Sequence, residues 1–466
     1  MDACICGIEG GDTIVFYIST EQEITTDLLM KMISEFSSEV QPKIKKMDDY
    51  YSGKHKILKK KYGYTNNEGK FIEDKSKPVN HVVTNFCKVV CDEYSGYIVG
   101  KPVSYTSDME IGDIQEVLNL NDTVAEDMEF CEDALKYGVA YELCWIDENA
   151  DIRFKTVSPL NAFPIYDNSL DKKLIGFCRY YDIDSLDDSE IVHVELYTAD
   201  QVTIYRANGF TSALQMIEQK PHYFGDVPVS VFDLNKDNES IFAQIITLND
   251  AYNSLQSASI DDFEAWCDAY LCLIGVDATD EDIQMMKYKR TVSLPVDSDA
   301  KYITKNASDT QVQNLLENIK KNIYKISSCP DMGDENFLAQ SGTALAWKII
   351  GFESAASAIV ARFSKALKRR IMLVCNILNL KASDAIWRDV DVNFVRNLPV
   401  NITEKIQLVQ GLQGIVSDET LLSQLDFITD PAEEVERVRK QKEENMSVFS
   451  FTHTAPKEEA EEEEAE

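Results

Sequence analysis

Residues 77–105 read KPVNHVVTNFCKVVCDEYSGYIVGKPVSY. Apolar side chains recur at Val82, Val83, Phe86, Val89, Val90 and Tyr94, a helical spacing that predicts a helix over 79–97. Its end, SGYIVGKP, superficially suggests a phosphate-binding loop. That loop needs four residues between its glycines and a hydroxyl after the lysine, so that successive backbone N–H groups curl around phosphates. Here three residues separate Gly96 from Gly100, and Pro102 follows Lys101. Proline offers neither a hydroxyl nor an N–H donor. The stretch is therefore a helix stop leading into a strand, and Lys101 has no nucleotide to hold.

Upstream, residues 21–47 have helical spacing through Leu28, Leu29, Met32 and Phe36. Downstream, two acidic amphipathic helices are expected between about 112 and 138. Residues 139–235 then alternate in the manner of strands, in VAYELCWI, IRFKTV, LIGFCRYY, IVHVELYT and QVTIYRA. The fold class is α+β. Helical spacing returns at about 239, through Phe242, Ile245, Leu248, Tyr252, Leu255, Ile260 and Phe263. A small patch with strand signals (RTVSLPV, KYITK) fills 267–307. A second helix, 309–327, starts at an Asp309 cap and carries Val312, Leu315, Leu316, Ile319, Ile323 and Ile326 on one face. Pro330, Gly333 and Gly342 break the chain before a long helix, 343–379, whose second half is basic through Arg362, Lys365, Lys368, Arg369 and Arg370. Residues 385–396 read as a strand. Short helices follow, with start signals at Thr403, Ser417 and Asp430-Pro431. Composition predicts disorder from about 446. A helix out, a small module and a helix back suggest an elongated, assembling subunit.

The chain has 466 residues and a formal charge of −34. The last ten residues, KEEAEEEEAE, hold seven acids and one lysine, so most of the charge lies on the body. Such a surface repels nucleic acid and anionic membranes at long range, and a general DNA-gripping protein would carry a basic face instead. It also suits a protein that DNA must pass without adhering. The eleven cysteines contain no C-x-x-C pair and read as reduced thiols of a cytosolic compartment. The first twenty residues lack the features of a signal peptide, and no apolar run is long enough to span a bilayer.

Chemistry is sparse. The five histidines are scattered, without H-E-x-x-H. His81, Cys87 and Cys91 could share a helix surface, but buried thiols are the simpler reading. DIDSLDDSE (182–190) lacks the glycine and bidentate glutamate of a calcium loop. No G-x-S-x-G is present. No catalytic residue, metal ligand or cofactor is expected. Lys320, Lys321 and Lys325 lie away from the apolar face of the second helix. Either they form a solvated face, or they line a surface that DNA passes. Lys365, Lys368 and Arg369 favour the C-terminal end of their helix. KHKILKKK (54–61) is a basic patch suited to a partner subunit.

Taken together, YYSGKHKI (50–57), the 77–105 stretch, YGVAYELCWIDE (137–148), VSPLNAFPIYD (157–167), LNDAYNSLQSASIDDFEAWCDAYLCLIG (248–275), PDMGDENFLAQSGTALAWKI (330–349) and VSDETLLSQLDFITDPAEEVERV (416–438) resemble the phage portal proteins of SPP1-type siphophages. The resemblance covers roughly 40–445 and implies a ring-forming portal fold, usually of twelve subunits, at one capsid vertex. Residues 1–20 match nothing in the family. The implied parts are an α/β wing (21–238), a stem helix (239–265), a small β-containing clip (266–307), a second stem helix (308–328), a tunnel loop (329–342), a long helix returning to the wing (343–399), a helical crown (400–445) and an acidic tail (446–466). The implied function is a channel for double-stranded DNA, entering during packaging and leaving during ejection. Lys320, Lys321, Lys325, Asn336 and Gln340 are the DNA-channel candidates. Asp282, Lys287, Lys289 and Arg290 are the clip candidates for docking terminase. The implied partners are other copies, phage DNA, terminase, a head-completion adaptor, and capsid and scaffold proteins, with no membrane. The implied locations are the virion and, during assembly, the host cytoplasm. A nucleic-acid-processing enzyme and a scaffold or minor capsid protein are the rival readings.

Overall fold

Asn85 divides the opening stretch in two. In the computed structural model of the chain, the Asn85 side chain accepts the Lys88 amide at 3.0 Å and caps a helix that begins only at Phe86. Val82 and Val83 therefore precede the helix rather than forming its face. The structure describes residues 16–19, 23–74, 78–183, 191–209, 213–267, 270–275, 279–281, 284, 288, 298–303, 309–333, 342–378, 386–397, 407, 409–423, 425, 428 and 431–450. Two units are distinguished, 1–396 and 397–466.

In the first unit the helices are α1 (Thr26–Glu35), α2 (Gln41–Tyr51), α3 (Phe86–Val99), α4 (Gly112–Leu120), α5 (Thr123–Tyr137), α6 (Ile246–Cys267), α7 (Asp309–Ile326), α8 (Gly342–Ile377) and α9 (Ile386–Asp389). The single helix expected over 21–47 is split by a π-helical turn, Phe36–Val40. Pro42, at the start of α2, lacks the N–H that a regular helix would donate to Ser38, and its ring crowds that carbonyl. Residues 385–396 hold α9 and only a three-residue strand, rather than one strand.

A six-stranded sheet has the order β1 (Phe16–Ile18), β7 (Ala162–Asp167), β8 (Leu174–Ile183), β9 (Ile191–Tyr197), β10 (Gln201–Asn208), β11 (Gln215–Pro221). Only β1 and β7 pair in parallel. A register shift interrupts the β10–β11 pairing at Ile204/Tyr205, and β11 is exposed along its whole length. A three-stranded sheet has the order β12 (Val229–Asp233), β5 (Val139–Ile146), β6 (Ile152–Val157). Three two-stranded pairs complete the unit: β2 (Gly63–Thr65) with β3 (Phe71–Glu73), β4 (Ser104–Thr106) with β15 (Asp391–Asn393), and β13 (Tyr270–Ile274) with β14 (Asp299–Ile303). Helix and sheet are mixed as the α+β reading expects. β14 contains the KYI of the expected KYITK strand, whereas RTVSLPV lies outside the described residues.

Period-two alternation decides what each face of β5 meets. Val139, Tyr141 and Leu143 face β7 and β8 through Ala162, Leu174 and Phe177. Glu142 and Cys144 face the other way, toward α5 and α8. On the far side of the six-stranded sheet, Leu29, Met32, Phe36 and Val40 pack on Phe163, Ile165, Tyr180 and Val194.

The 36-residue α8, about 54 Å long at 1.5 Å per residue, is fastened to this body by side chains of both kinds. Phe352 meets Tyr94 and Tyr97 with ring centroids 4.5 and 4.6 Å apart, and Phe363 stacks on Phe232 at 4.7 Å. Arg369 donates to the carbonyls of Val229 (2.7 Å) and Val227 (3.0 Å). Arg370, with no exposed surface, donates to both carboxylate oxygens of Glu142 (2.7 and 2.5 Å) and to Asp127 (2.6 Å). Arg369 and Arg370, two of the five cations in the basic half of α8, are thus internal bracing.

In the second unit, Ser417 caps the helix Asp418–Leu422 by accepting the Thr420 amide at 3.3 Å, as its sequence predicted. The helix starting at Pro431 continues to Ser450, past the position where composition predicted disorder.

Replacing Arg370 by Ala strands two buried carboxylates, so the unfolding free energy should fall by about 3–5 kcal/mol. Adding Glu142→Gln and Asp127→Asn should recover part of that loss. Urea unfolding of the three proteins measures both.

Candidate functional site

Asn249, Asn253, Ser257 and Asp261 recur every four residues along α6, so they form one stripe. All four are buried. Opposite them runs the irregular segment 80–86, whose backbone groups have no ladder of their own and need partners. Asn249 accepts the Phe86 amide (3.1 Å) and donates to the Thr84 carbonyl (2.7 Å). Asn253 accepts the Thr84 amide (2.9 Å) and donates to His55 (3.1 Å). Ser257 accepts the Val82 amide (3.0 Å), and Asp261 accepts the Asn80 amide (2.6 Å). Asp261 also accepts from Tyr62 (3.1 Å) and Lys60 (3.4 Å). Burial alone would raise the Asp261 pKa, but these donors outweigh it and hold the carboxyl below its ordinary value.

The apolar periodicity of α6 therefore marks the wrong face over its second half. Ile260 is 36 % exposed and Phe263 71 %. The repeating Asn-Asn-Ser-Asp stripe was the legible signal, since polar residues at helical spacing on a buried face must bind something local.

Helices α6 and α7 pack against each other. Phe86 meets Tyr252, near the start of α6, at 5.1 Å, and Tyr324, near the end of α7, at 6.0 Å. Adjacent start and end make the pair antiparallel, and the β13–β14 hairpin lies between them in the chain. The Tyr94 hydroxyl donates to the Ser327 carbonyl at 2.9 Å, tying the end of this pair to α3. Among the apolar residues expected on one face of α7, Ile323 is fully buried, while Leu315 is 50 % and Ile326 48 % exposed.

The three candidate lysines on α7 separate. Lys320 pairs with Asp331 at 2.7 Å, so it braces the following turn instead of presenting a free charge. Lys321 is exposed, 3.8 Å from Glu317, and Lys325 is exposed. Asn336, Gln340, Asp282, Lys287, Lys289 and Arg290 lie outside the described residues. The KHKILKKK patch is not a uniform partner surface, because Lys60 points to Asp261 and Lys61 lies 3.4 Å from Glu73.

Gly96 sits within α3 and Gly100 caps its end, so Lys101 follows a helix C-terminus. That end carries the negative pole of the helix and is the wrong one for phosphate. His81 precedes α3 and donates to the Lys60 carbonyl, while Cys87 and Cys91 are fully buried. Burial pushes the Cys87 thiol up to about 12. Among the described residues no three His, Cys, Asp or Glu side chains converge as metal ligands, and no helix is long and apolar enough to cross a membrane.

The family profile described as "Phage portal protein, SPP1 Gp6-like" matches residues 19–448, almost the whole chain. The chain belongs to this portal family. The portal protein of Bacillus phage SPP1 is 24 % identical over 442 residues, covering 90 % of this chain and 87 % of that one. The portal protein of Clostridium phage phiCD119 is 23 % identical over 414 residues, covering 84 % and 90 %. The family match runs through the α6 stripe, the helix pair and α8 alike.

In this portal protein, Asp261→Asn places an amide N–H against the donors Lys60 and Tyr62. At neutral pH it should cost about 1–3 kcal/mol of stability. A carboxyl whose folded pKa is depressed adds stability above its unfolded pKa, and loses it as pH falls through the folded value. The gap between wild type and variant should therefore close below about pH 4. Denaturant midpoints across pH 3–7 would measure it.

Proposed function

We propose that copies of this chain close into a ring at one capsid vertex and enclose the channel through which double-stranded DNA enters and leaves. As a phage portal protein the chain is a virion component with a structural role. The observation that carries the ring is the exposed apolar side chains on the helix pair: Ile260 and Phe263 on α6, Leu315 and Ile326 on α7. A single chain would leave this surface in water at a cost of about 25 cal/mol per Å². Repeated head-to-tail contacts that close on themselves would bury it in every copy.

In this reading residues 21–238 are the wing, α6 and α7 lie in the two stem helices (239–265 and 308–328), and 266–307 form the clip. Residues 329–342 form the tunnel loop, 343–399 return to the wing, and 400–445 form the crown. The clip, through Asp282, Lys287, Lys289 and Arg290, would dock terminase during packaging and a head-completion adaptor afterwards. Wing and crown would meet capsid, scaffold and packaged DNA.

Duplex DNA carries a charge every ~1.7 Å, and each phosphate neutralised strengthens binding. A subunit of charge −34 that exposes only a few lysines to the bore would centre DNA without gripping it. Lys321 and Lys325, with Asn336 and Gln340, are the contacts proposed. Lys320 is the weaker candidate, since Asp331 already neutralises it.

Negative-stain imaging and sedimentation of the purified protein should give rings, about twelve copies by family resemblance, with a central hole of duplex width. Phe263→Asp combined with Leu315→Asp should give folded, smaller species. Rings that survive this change would place the subunit interface elsewhere. Lys321→Glu combined with Lys325→Glu should leave rings intact while lowering the yield of filled heads in a complementation assay. Unchanged yield would remove both lysines from the channel.

A further inference from the structure

A cleft of about 970 Å³ opens in the first unit between the two sheets and the basic half of α8. Its walls hold Tyr17, Tyr141 and Tyr166, and aromatic walls can pack a peptide without demanding one sequence. Its charge is the opposite of the chain's. Seven cations line it, from the Lys172-Lys173 turn, Lys236 after β12, and Arg362, Lys365, Lys368 and Arg369 on α8, against only Asp171 and Asp233. Arg369 and Lys368 are already engaged, by Asp226 at 3.3 Å and Asp391 at 3.6 Å. Lys236, Arg362 and Lys365 are exposed and make no ion pair among the described residues. Arg362 and Lys365 feel Asp233 only as a nearby charge. The three cations come from two separate elements, so they are not simply one helix favouring its own C-terminal end.

We propose that this cleft receives the acidic C-terminal segment of a neighbouring copy, KEEAEEEEAE (457–466). The idea rests on the ring reading for the source of that neighbour. Three observations favour this occupant. The segment carries seven glutamates and one lysine, complementary to a cleft with three unpaired cations. Extended, ten residues reach roughly 33–36 Å, enough to cross such a recess. Each copy brings one cleft and one segment, so a closed ring could satisfy every site. A recess of this volume admits an extended peptide but not a double helix, which argues against DNA as occupant.

The test titrates a fluorescently labelled KEEAEEEEAE peptide into the full chain. Saturable binding is expected, weakening about tenfold between 0.05 and 0.3 M salt as screening shortens the reach of the charges. Arg362→Glu combined with Lys365→Glu changes two exposed residues, and should weaken binding at least about tenfold with an unaltered thermal melt. Carbodiimide coupling of mixed heavy- and light-isotope copies should join tail glutamates to Lys236 or Lys365 across copies. No peptide binding, binding indifferent to the charge reversal, coupling confined to single copies, or displacement of the peptide by duplex DNA at lower charge concentration than by unlabelled peptide would each overturn the proposal. Rings without peptide binding would overturn this docking while leaving the ring reading intact. Absence of rings together with charge-dependent peptide binding would have the converse meaning for the cleft, and the absence of cross-copy coupling would then overturn the neighbour as its source.

Discussion

One guanidinium, sealed from solvent, constrains the rest of the body. Arg370 can be accommodated only if both Glu142 and Asp127 are within hydrogen-bond reach, because an ion taken out of water unpaired costs several kcal/mol. Glu142 belongs to the central strand of the three-stranded sheet, Asp127 to α5, and Arg370 to α8. Satisfying the three charges at once fixes the rotation of the long helix about its axis and the register of β5 beneath it. Apolar packing tolerates small sliding, whereas this triad does not. Phe154 closes one face of the guanidinium at 4.5 Å, and Tyr105 receives a further bond.

A second polar device acts where no sheet is available. The stripe of Asn249, Asn253, Ser257 and Asp261 supplies, from side chains, the partners that a neighbouring strand would have given to the segment 80–86. Because those partners project from α6, the position of the segment is set by the helix. Ile260 and Phe263, apolar side chains of the same helix, make none of these bonds and stay exposed. At about 100° per residue Phe263 lies about 200° around α6 from Asp261, so the end of the helix that binds Asn80 inward exposes an aromatic ring outward.

These two devices explain what could be read from sequence and what could not. The long helix, the acidic pair α4 and α5, the strands of β5, β6, β8, β9 and β10, and the Ser417 cap follow from periodicity and local capping, which act over a few residues. The start of α3 differs from its apolar spacing because the Asn85 cap and its bond to the Tyr51 carbonyl outweigh Val82 and Val83. The buried face of α6 is hidden from hydropathy, which counts amides as outward-facing, because their partners lie more than 160 residues away in the chain. Nothing in the local sequence marks β1, whose context, the edge of β7, is supplied entirely by tertiary structure. Among the candidate lysines, sequence supplied the charge of Lys320 but not Asp331 beside it.

The outer strand β11 bears on how such a chain avoids the wrong polymer. An open sheet edge is a template for pairing with any other strand, a hazard for molecules that gather at high local concentration. Here a register shift interrupts the pairing of β10 with that edge, and β11 ends in Lys220 and Pro221, a charged residue and one with no amide to donate. Edge-to-edge growth between sheets is an unbounded process with no natural end point. A charged residue and an amide-free one at the end of the outer strand discourage that growth at its tip.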